Sequence, residues 1–263
     1  MLYLYGVGFD PVGPPDVPGV GPGEGTFRSV GHGAVAALLG VVEPPGPPAT
    51  ARNLDAHARV ADHVATAQTF VPARFGTVMT DDQAVRATLL EVQGEALVQA
   101  LRNLDGCVEM QLTVHHDVDT LLREALTVSP SLVRHRRRLA GRPAAATYYD
   151  RIALGEAARH EALGLQARDL GHLAEEMRSA VRAAVALSVP DGSTSRLAYL
   201  VEREELDRFD AALERFGVEH AGRVHMDLVG PLAPWDFTEV HETPADPRGW
   251  PDRPRPMAEA GGR

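Results

Sequence analysis

Lysine is absent from this 263-residue chain, cysteine occurs once, and aromatic residues make up only 5% of it. Each shortage excludes something. Cys107 has no partner for an internal disulfide, and no CxxC or Cys/His cluster is present, so a reducing cytoplasm is the expected compartment. Cys107 itself is expected as a partly buried thiol. Few aromatics leave few platforms on which bases could stack, and the cores must be built from Leu, Val and Ala. The lack of Lys, beside abundant Ala, Gly and Pro, fits GC-rich coding and says little about chemistry. Long apolar runs are also missing: the opening Met1-Leu2-Tyr3-Leu4-Tyr5 has no basic flank and is broken by Gly6 and Asp10. It reads as a first strand rather than a signal peptide or membrane span.

What is present is acidic and globular. A net charge of -10 repels phosphate backbones and anionic headgroups, which argues against nucleic acid and a lipid membrane as partners and in favour of proteins. The hydrophobic content of 44% over this length suits two ordinary domains.

Leu2 to Phe9 is a nearly continuous apolar run, expected as a strand covered on both faces. Pro/Gly-rich loops follow at Asp10 to Gly25 and, after the apolar stretch Ala34 to Val42, at Glu43 to Pro48. Arg52 to Phe70 carries Leu54, Ala58, Ala61 and Val64 or Ala65 at helical spacing, and Val71 to Met79 reads as strand. Thr80-Asp81-Asp82 offers N-cap oxygens to a helix with Val85, Leu89, Val92, Ala96 and Ala100 on one face, stopped by Gly106. Cys107 to Val114 alternates, with Val108, Met110, Leu112 and Val114 facing a core. Ser129 to Pro143, with its Arg134 to Arg138 run, marks a linker or a charged helix. Tyr148 to Leu187 is the longest helical stretch; Gly155, Gly164 and Gly171 suggest a bent helix or helical hairpin, since each interior Gly costs about 1 kcal/mol relative to Ala. A strand at Arg196 to Glu202, a helix at Glu204 to Phe216 and an alternating strand at Arg223 to Val229 complete the second half.

The expected fold class is α+β in α/β layers, with two domains: an N-terminal α/β sandwich and a C-terminal ferredoxin-like domain carrying a long helical segment. The boundaries read as 1–128, a linker at 129–145, a helix plus ferredoxin-like domain at 146–240, and a disordered tail at 241–263.

No constellation of residues makes a convincing active site. Gly19 to Gly25 contains a GxG string, but proline removes donors there and no strand–helix frame aims them at an anion. His115-His116-Asp117 is rich in ligand atoms, yet neighbours on a strand project to opposite faces, and a strand-end loop is expected. His160-Glu161 lacks the second His of a zinc-protease helix, because Gly164 stands there. No GxSxG elbow exists. Catalytic, cofactor-binding and metal residues are therefore set at none. Arg74 and Phe75, in Arg74-Phe75-Gly76-Thr77, either meet a carboxylate or anchor a buried polar network. Trp235 and Phe237 either cap the core or dock a partner. These four are the candidate partner-binding residues.

Several segments, in order along nearly the whole chain, resemble the GvpL/GvpF family of gas vesicle proteins. They are Leu2-Tyr3-Leu4-Tyr5-Gly6, Leu54-Asp55-Ala56-His57, Val71-Pro72-Ala73-Arg74-Phe75-Gly76-Thr77 and Val108-Glu109-Met110. In the second half come Tyr148-Tyr149-Asp150-Arg151-Ile152-Ala153-Leu154-Gly155-Glu156, Tyr199-Leu200-Val201-Glu202-Arg203 with Phe209-Asp210, and Val229-Gly230-Pro231-Leu232-Ala233-Pro234-Trp235-Asp236-Phe237. Trp235-Asp236 departs from the family's usual Tyr-Ser, and the Asp10 to Gly25 loop and the tail beyond Val240 are extra. The resemblance implies a non-enzymatic, cytoplasmic accessory or minor structural protein of the gas vesicle. It would bind the hydrophobic shell protein and other accessory proteins during assembly. The alternative reading is a small-ligand sensor or enzyme on a ferredoxin-like scaffold, which would need a deep pocket beside Arg74 and His57.

Overall fold

The computed structural model describes residues 1–21, 26–187 and 192–238. β1 (Leu2–Phe9) is buried along almost its whole length, as its unbroken apolar run requires. It pairs antiparallel with β3 (Val35–Val41) on one side and with β4 (Phe70–Pro72) and β5 (Val78–Met79) on the other, while β2 (Phe27–His32) lines the outer side of β3. A register shift between Leu4 and Gly6 puts a bulge at Tyr5, so that Tyr3 and Tyr5 join one core while Leu2, Leu4 and Val7 join the other. Gly6 follows because nothing larger fits: a Cβ there would lie 2.4 Å from the Val71 carbonyl oxygen.

Helices cover both faces of this sheet. α1 (Ala51–Ala67), capped by the Thr50 hydroxyl, lays Ala56, Val60, Ala61, Val64 and Ala65 against the tyrosine face. α2 (Asp82–Ala84) runs through a π-helical turn (Val85–Leu90) into α3 (Glu91–Leu104), and Val85, Leu90 and Leu101 close the opposite face. Asp81 supplies the expected cap by accepting the Ala84 amide hydrogen at 2.8 Å.

The second sheet contains β6 (Cys107–His116), β7 (Ala183–Leu187), β8 (Thr194–Glu202) and β9 (Val224–Leu232) in the order β7-β8-β6-β9, all antiparallel. Between β6 and β7 come α4 (Val118–Val128), α5 (Pro130–Leu139) and α6 (Tyr148–Met177), and α7 (Leu206–Glu219) joins β8 to β9. With α6 and α7 as the two crossover helices, this is the order and pairing of a ferredoxin-like unit, with α4 and α5 inserted. Met110, Leu112 and Val114 share a core with Leu197, Tyr199 and Val201, covered by Leu173 and Met177 of α6 and by Phe209, Leu213 and Phe216 of α7. The other half of α6 packs Ala158, Ala162 and Leu165 against Leu121 and Ala125 of α4 and Leu132 of α5. Arg203 ties the two sheets together by donating to the Ala65 and Gln68 carbonyl oxygens at the end of α1.

Several expectations are corrected. β6 does not belong with the first sheet: it is an inner strand of the second, so the 1–128 unit loses its last strand. Alternation identifies a strand but not its partners. Of the two readings of the basic segment, the charged helix is the one found: α5 buries Leu132 and Leu139 and turns Arg134 and Arg136 to Arg138 outward. Each fully buried Leu contributes about 1.5–3 kcal/mol, which holds a strongly basic helix in place. The long helix stops at Met177, and Ala183–Leu187 forms β7 instead of continuing it. Its glycines do not divide it into a hairpin: the helix is continuous from Tyr148 to Met177 and packs at both ends. The strand expected over Val71 to Met79 is split by a turn at Arg74 to Thr77, and β2 was not foreseen. The tail expected at 241–263 lies outside the described residues.

Candidate functional site

The turn carrying Arg74 and Phe75 hangs from His57. The imidazole Nε2–H donates to the Ala73 carbonyl oxygen at 2.9 Å, which leaves Nδ1 to accept from the Tyr3 hydroxyl at 3.0 Å. The Tyr3 oxygen in turn accepts the Gly76 amide hydrogen at 3.3 Å. Rings of Tyr3, Tyr5, Phe75 and Trp235 surround the imidazole at centroid distances of 5.5 to 5.7 Å. Burial pushes the His57 pKa down and that of Tyr3 up to about 12, so both groups stay neutral. The space in which a small-ligand sensor would need a pocket is filled with side chains. Phe75 is partly buried in this cluster, and Arg74 stands exposed on the turn.

Trp235 seals the cluster from the C-terminal side. Asp62 Oδ1 accepts both the Ala233 amide hydrogen at 2.8 Å and the Trp235 indole N–H at 3.1 Å. Burial raises the pKa of Asp62 and these two bonds oppose the rise. Beyond the turn, Phe237 packs against Leu104, Cys107 and Leu200 between the sheets. The structure thus brings Phe75 and Trp235 together on His57 and places Phe237 in a different cluster. Beside the turn, Glu109 is wholly buried, accepting the Asp236 amide hydrogen at 2.9 Å and a Gln111 side-chain N–H at 2.8 Å. Desolvation pushes its carboxyl up to about 7. Cys107 is buried, as expected, and burial raises its thiol pKa despite an Arg182 N–H at 3.2 Å.

His115 and His116 do point to opposite faces, but they end β6 rather than lying in a loop. His115 meets Asp227 at 3.1 Å on the exposed side, whereas His116 lies buried 3.5 Å from Asp169. Asp117 caps α4 through the Thr120 amide at 2.6 Å. Asp169, itself buried, also takes Arg223 at 2.6 Å, and Arg223 reaches Glu124 at 2.8 Å.

The surface that sequence reasoning missed lies at the end of the second sheet. β9 is its edge strand, and among the described residues nothing pairs with its outer side. Between β9 and α7 runs an open groove of about 550 Å³, floored by Leu112, Leu213 and Met226 and flanked by Val218 and Leu228, with Asp210 and Glu214 on its rim. Val218 is 75% exposed and Leu228 40%, and Val229 adds 57% exposure on the strand itself. The alternation of Val224, Met226 and Leu228 was readable, but that their strand has no outer neighbour was not. A second exposed apolar group, Tyr148, Tyr149 and Ile152, begins α6.

A family model described as gas vesicle synthesis protein GvpL/GvpF matches residues 1–239. Gas vesicle protein F of Streptomyces sp. (strain CB03234) is 30% identical over 246 residues, covering 90% of this chain and 99% of that protein. Gas vesicle protein L of the same strain is 31% identical over 267 residues, covering 92% and 96%. Near-equal identity to an F and an L protein does not separate the two types. The crystal structure of the gas vesicle protein GvpF from Anabaena sp. PCC7120 superimposes with a TM-score of 0.79 at 20% identity, over 91% of this chain and 98% of that chain. The resemblance read from the ordered motifs is borne out across the same span, and the chain belongs to the GvpL/GvpF family of gas vesicle proteins.

Proposed function

We propose that this protein is a cytoplasmic gas vesicle assembly factor that binds the hydrophobic shell protein and other accessory proteins, and that the β9–α7 face is where the shell protein docks. The single observation that carries the docking site is the open apolar groove beside an edge strand. An exposed strand edge offers a row of backbone donors and acceptors, and the adjoining groove takes apolar side chains, which together suit an extended hydrophobic segment. The family is one of gas vesicle proteins and not a known enzyme family, which supports a binding role over a catalytic one. Among the described residues no helix is long and apolar enough to cross a membrane. Arg74, Phe75, Trp235 and Phe237 act in this reading by holding the fold that presents the groove, since three of the four are packed into cores.

The test is co-purification of the shell protein with the wild-type chain and with a Val218→Glu/Leu228→Glu variant, together with vesicle yield in cells carrying each. The variant should remain folded, capture much less shell protein and give few vesicles. Wild-type capture and yield from a folded variant would remove the docking site, and no association of the wild-type chain would remove the shell protein as client.

A further inference from the structure

We propose that His172, Glu219 and His220 form a divalent-metal site of the zinc class between α6 and α7. One ligand atom from each residue lies within 4.8 Å of the other two. A tetrahedral zinc ion with bonds of about 2.0–2.1 Å requires ligand atoms roughly 3.4 Å apart, so a shift of about 1 Å in the side chains closes the set. Glu219 is exposed and His172 half-buried, which leaves both room to make it. Two imidazoles with a carboxylate suit zinc, whereas magnesium and calcium prefer oxygen alone.

The buried member, His220, is already oriented as a ligand. Its Nδ1–H donates to the Phe216 carbonyl oxygen at 2.9 Å, and its ring stacks on Phe216 at 4.0 Å. A metal-bound histidine is commonly oriented in this way, by a hydrogen bond from its other ring nitrogen. His220 Nε2 lies 3.6 Å from Asp169 Oδ1. On the far side of the same carboxylate, Oδ2 and both His116 ring nitrogens are buried without hydrogen-bond partners. Arg223 neutralises Asp169 only in part, because it is shared with Glu124. Asp169 therefore serves as a charged neighbour rather than a ligand, and Glu176, 3.9 Å from His172 Nε2 and held by Arg215, is the next carboxylate outward.

The inference stands apart from the gas vesicle role, and so does its test. Tag-free protein, stripped with chelator, is titrated with zinc sulfate by calorimetry. One equivalent should bind, and thermal unfolding should move upward with zinc. His172→Ala and Glu219→Gln alter a half-buried and an exposed side chain, so circular dichroism should show intact folds, while zinc affinity drops at least about tenfold. His225→Ala serves as the control, because His115, His225 and Asp227 form a separate exposed group on the opposite face of the sheet, at 3.1 and 3.3 Å from the carboxylate. No saturable binding, binding unchanged in the His172 and Glu219 variants, or binding lost only in the His225 variant would each overturn the assignment.

Discussion

The two sheets of this protein treat their surfaces in opposite ways. The first is covered on both faces, by α1 and by α2 with α3, and its central polar group, His57, is neutral and enclosed by aromatic rings. The second is covered on one face by α6 and α7, has no strand beside the outer edge of β9 among the described residues, and gathers charges at one end, where Asp169 is buried against Arg223. A saturated sheet is a scaffold, with nothing left to pair. An unsaturated one keeps apolar surface and backbone groups that another chain could meet, which is the basis of the docking proposal.

The sharpest way to break the contrast is to put the same charge into each sheet. Leu39→Glu buries a carboxylate in the first sheet, where Leu39 is fully enclosed, and should abolish cooperative folding as followed by circular dichroism. Leu228→Glu at the second sheet's edge should change urea stability by no more than about 1 kcal/mol. Equal losses would mean that the edge is as closed as the centre. Removing one polar hub from each half comes next. Arg223→Ala strands Asp169 and Glu124 and should cost about 3–5 kcal/mol. His57→Ala, which breaks two hydrogen bonds among neutral groups and leaves a cavity, should cost about 2–4 kcal/mol. The order of the two midpoints in urea decides whether charge or packing dominates.

A smaller effect is expected at the join. Glu109, raised to about 7, binds its proton more tightly in the folded chain than in the unfolded one, where an ordinary Glu titrates near 4.3. Its contribution is therefore greatest below about pH 4.3 and falls as pH rises toward 7. Unfolding of the wild type and of Glu109→Gln, compared between pH 5 and 8, should show the wild type losing stability relative to the variant as pH rises. A parallel pair of curves would show that Glu109 is ionised throughout. Smallest of all, Tyr149→Ala at the exposed start of α6 should move stability by no more than about 0.5 kcal/mol.

Much of this contrast was legible in the sequence, and the remainder was hidden for definite reasons. The continuous apolar run of β1 announced a strand buried on both faces, and the strict alternation of β6 announced one with two unlike faces. Asp81 before Val85 marked a helix start. What local pattern could not give was partnership. β6 follows the first sheet in sequence yet pairs with β8 and β9, and no periodicity encodes that choice. α5 was readable only as one of two options, a linker or a charged helix, and Leu132 and Leu139, two turns apart, held the signal that decides for the helix. The His57 network was foreshadowed only as an anchor near Arg74, because the contact between Tyr3, His57 and Gly76 joins three distant segments. The groove was out of reach for the same reason, being a property of how strands end rather than of any residue in them.

α6 has a mechanical consequence. Its 30 residues make a rod roughly 45 Å long. One half packs against α4 and α5 and the other against the second sheet. One hydrogen-bonded backbone thus runs through two cores, so a substitution that loosens α4 or α5 also removes support from a helix that packs beneath the second sheet.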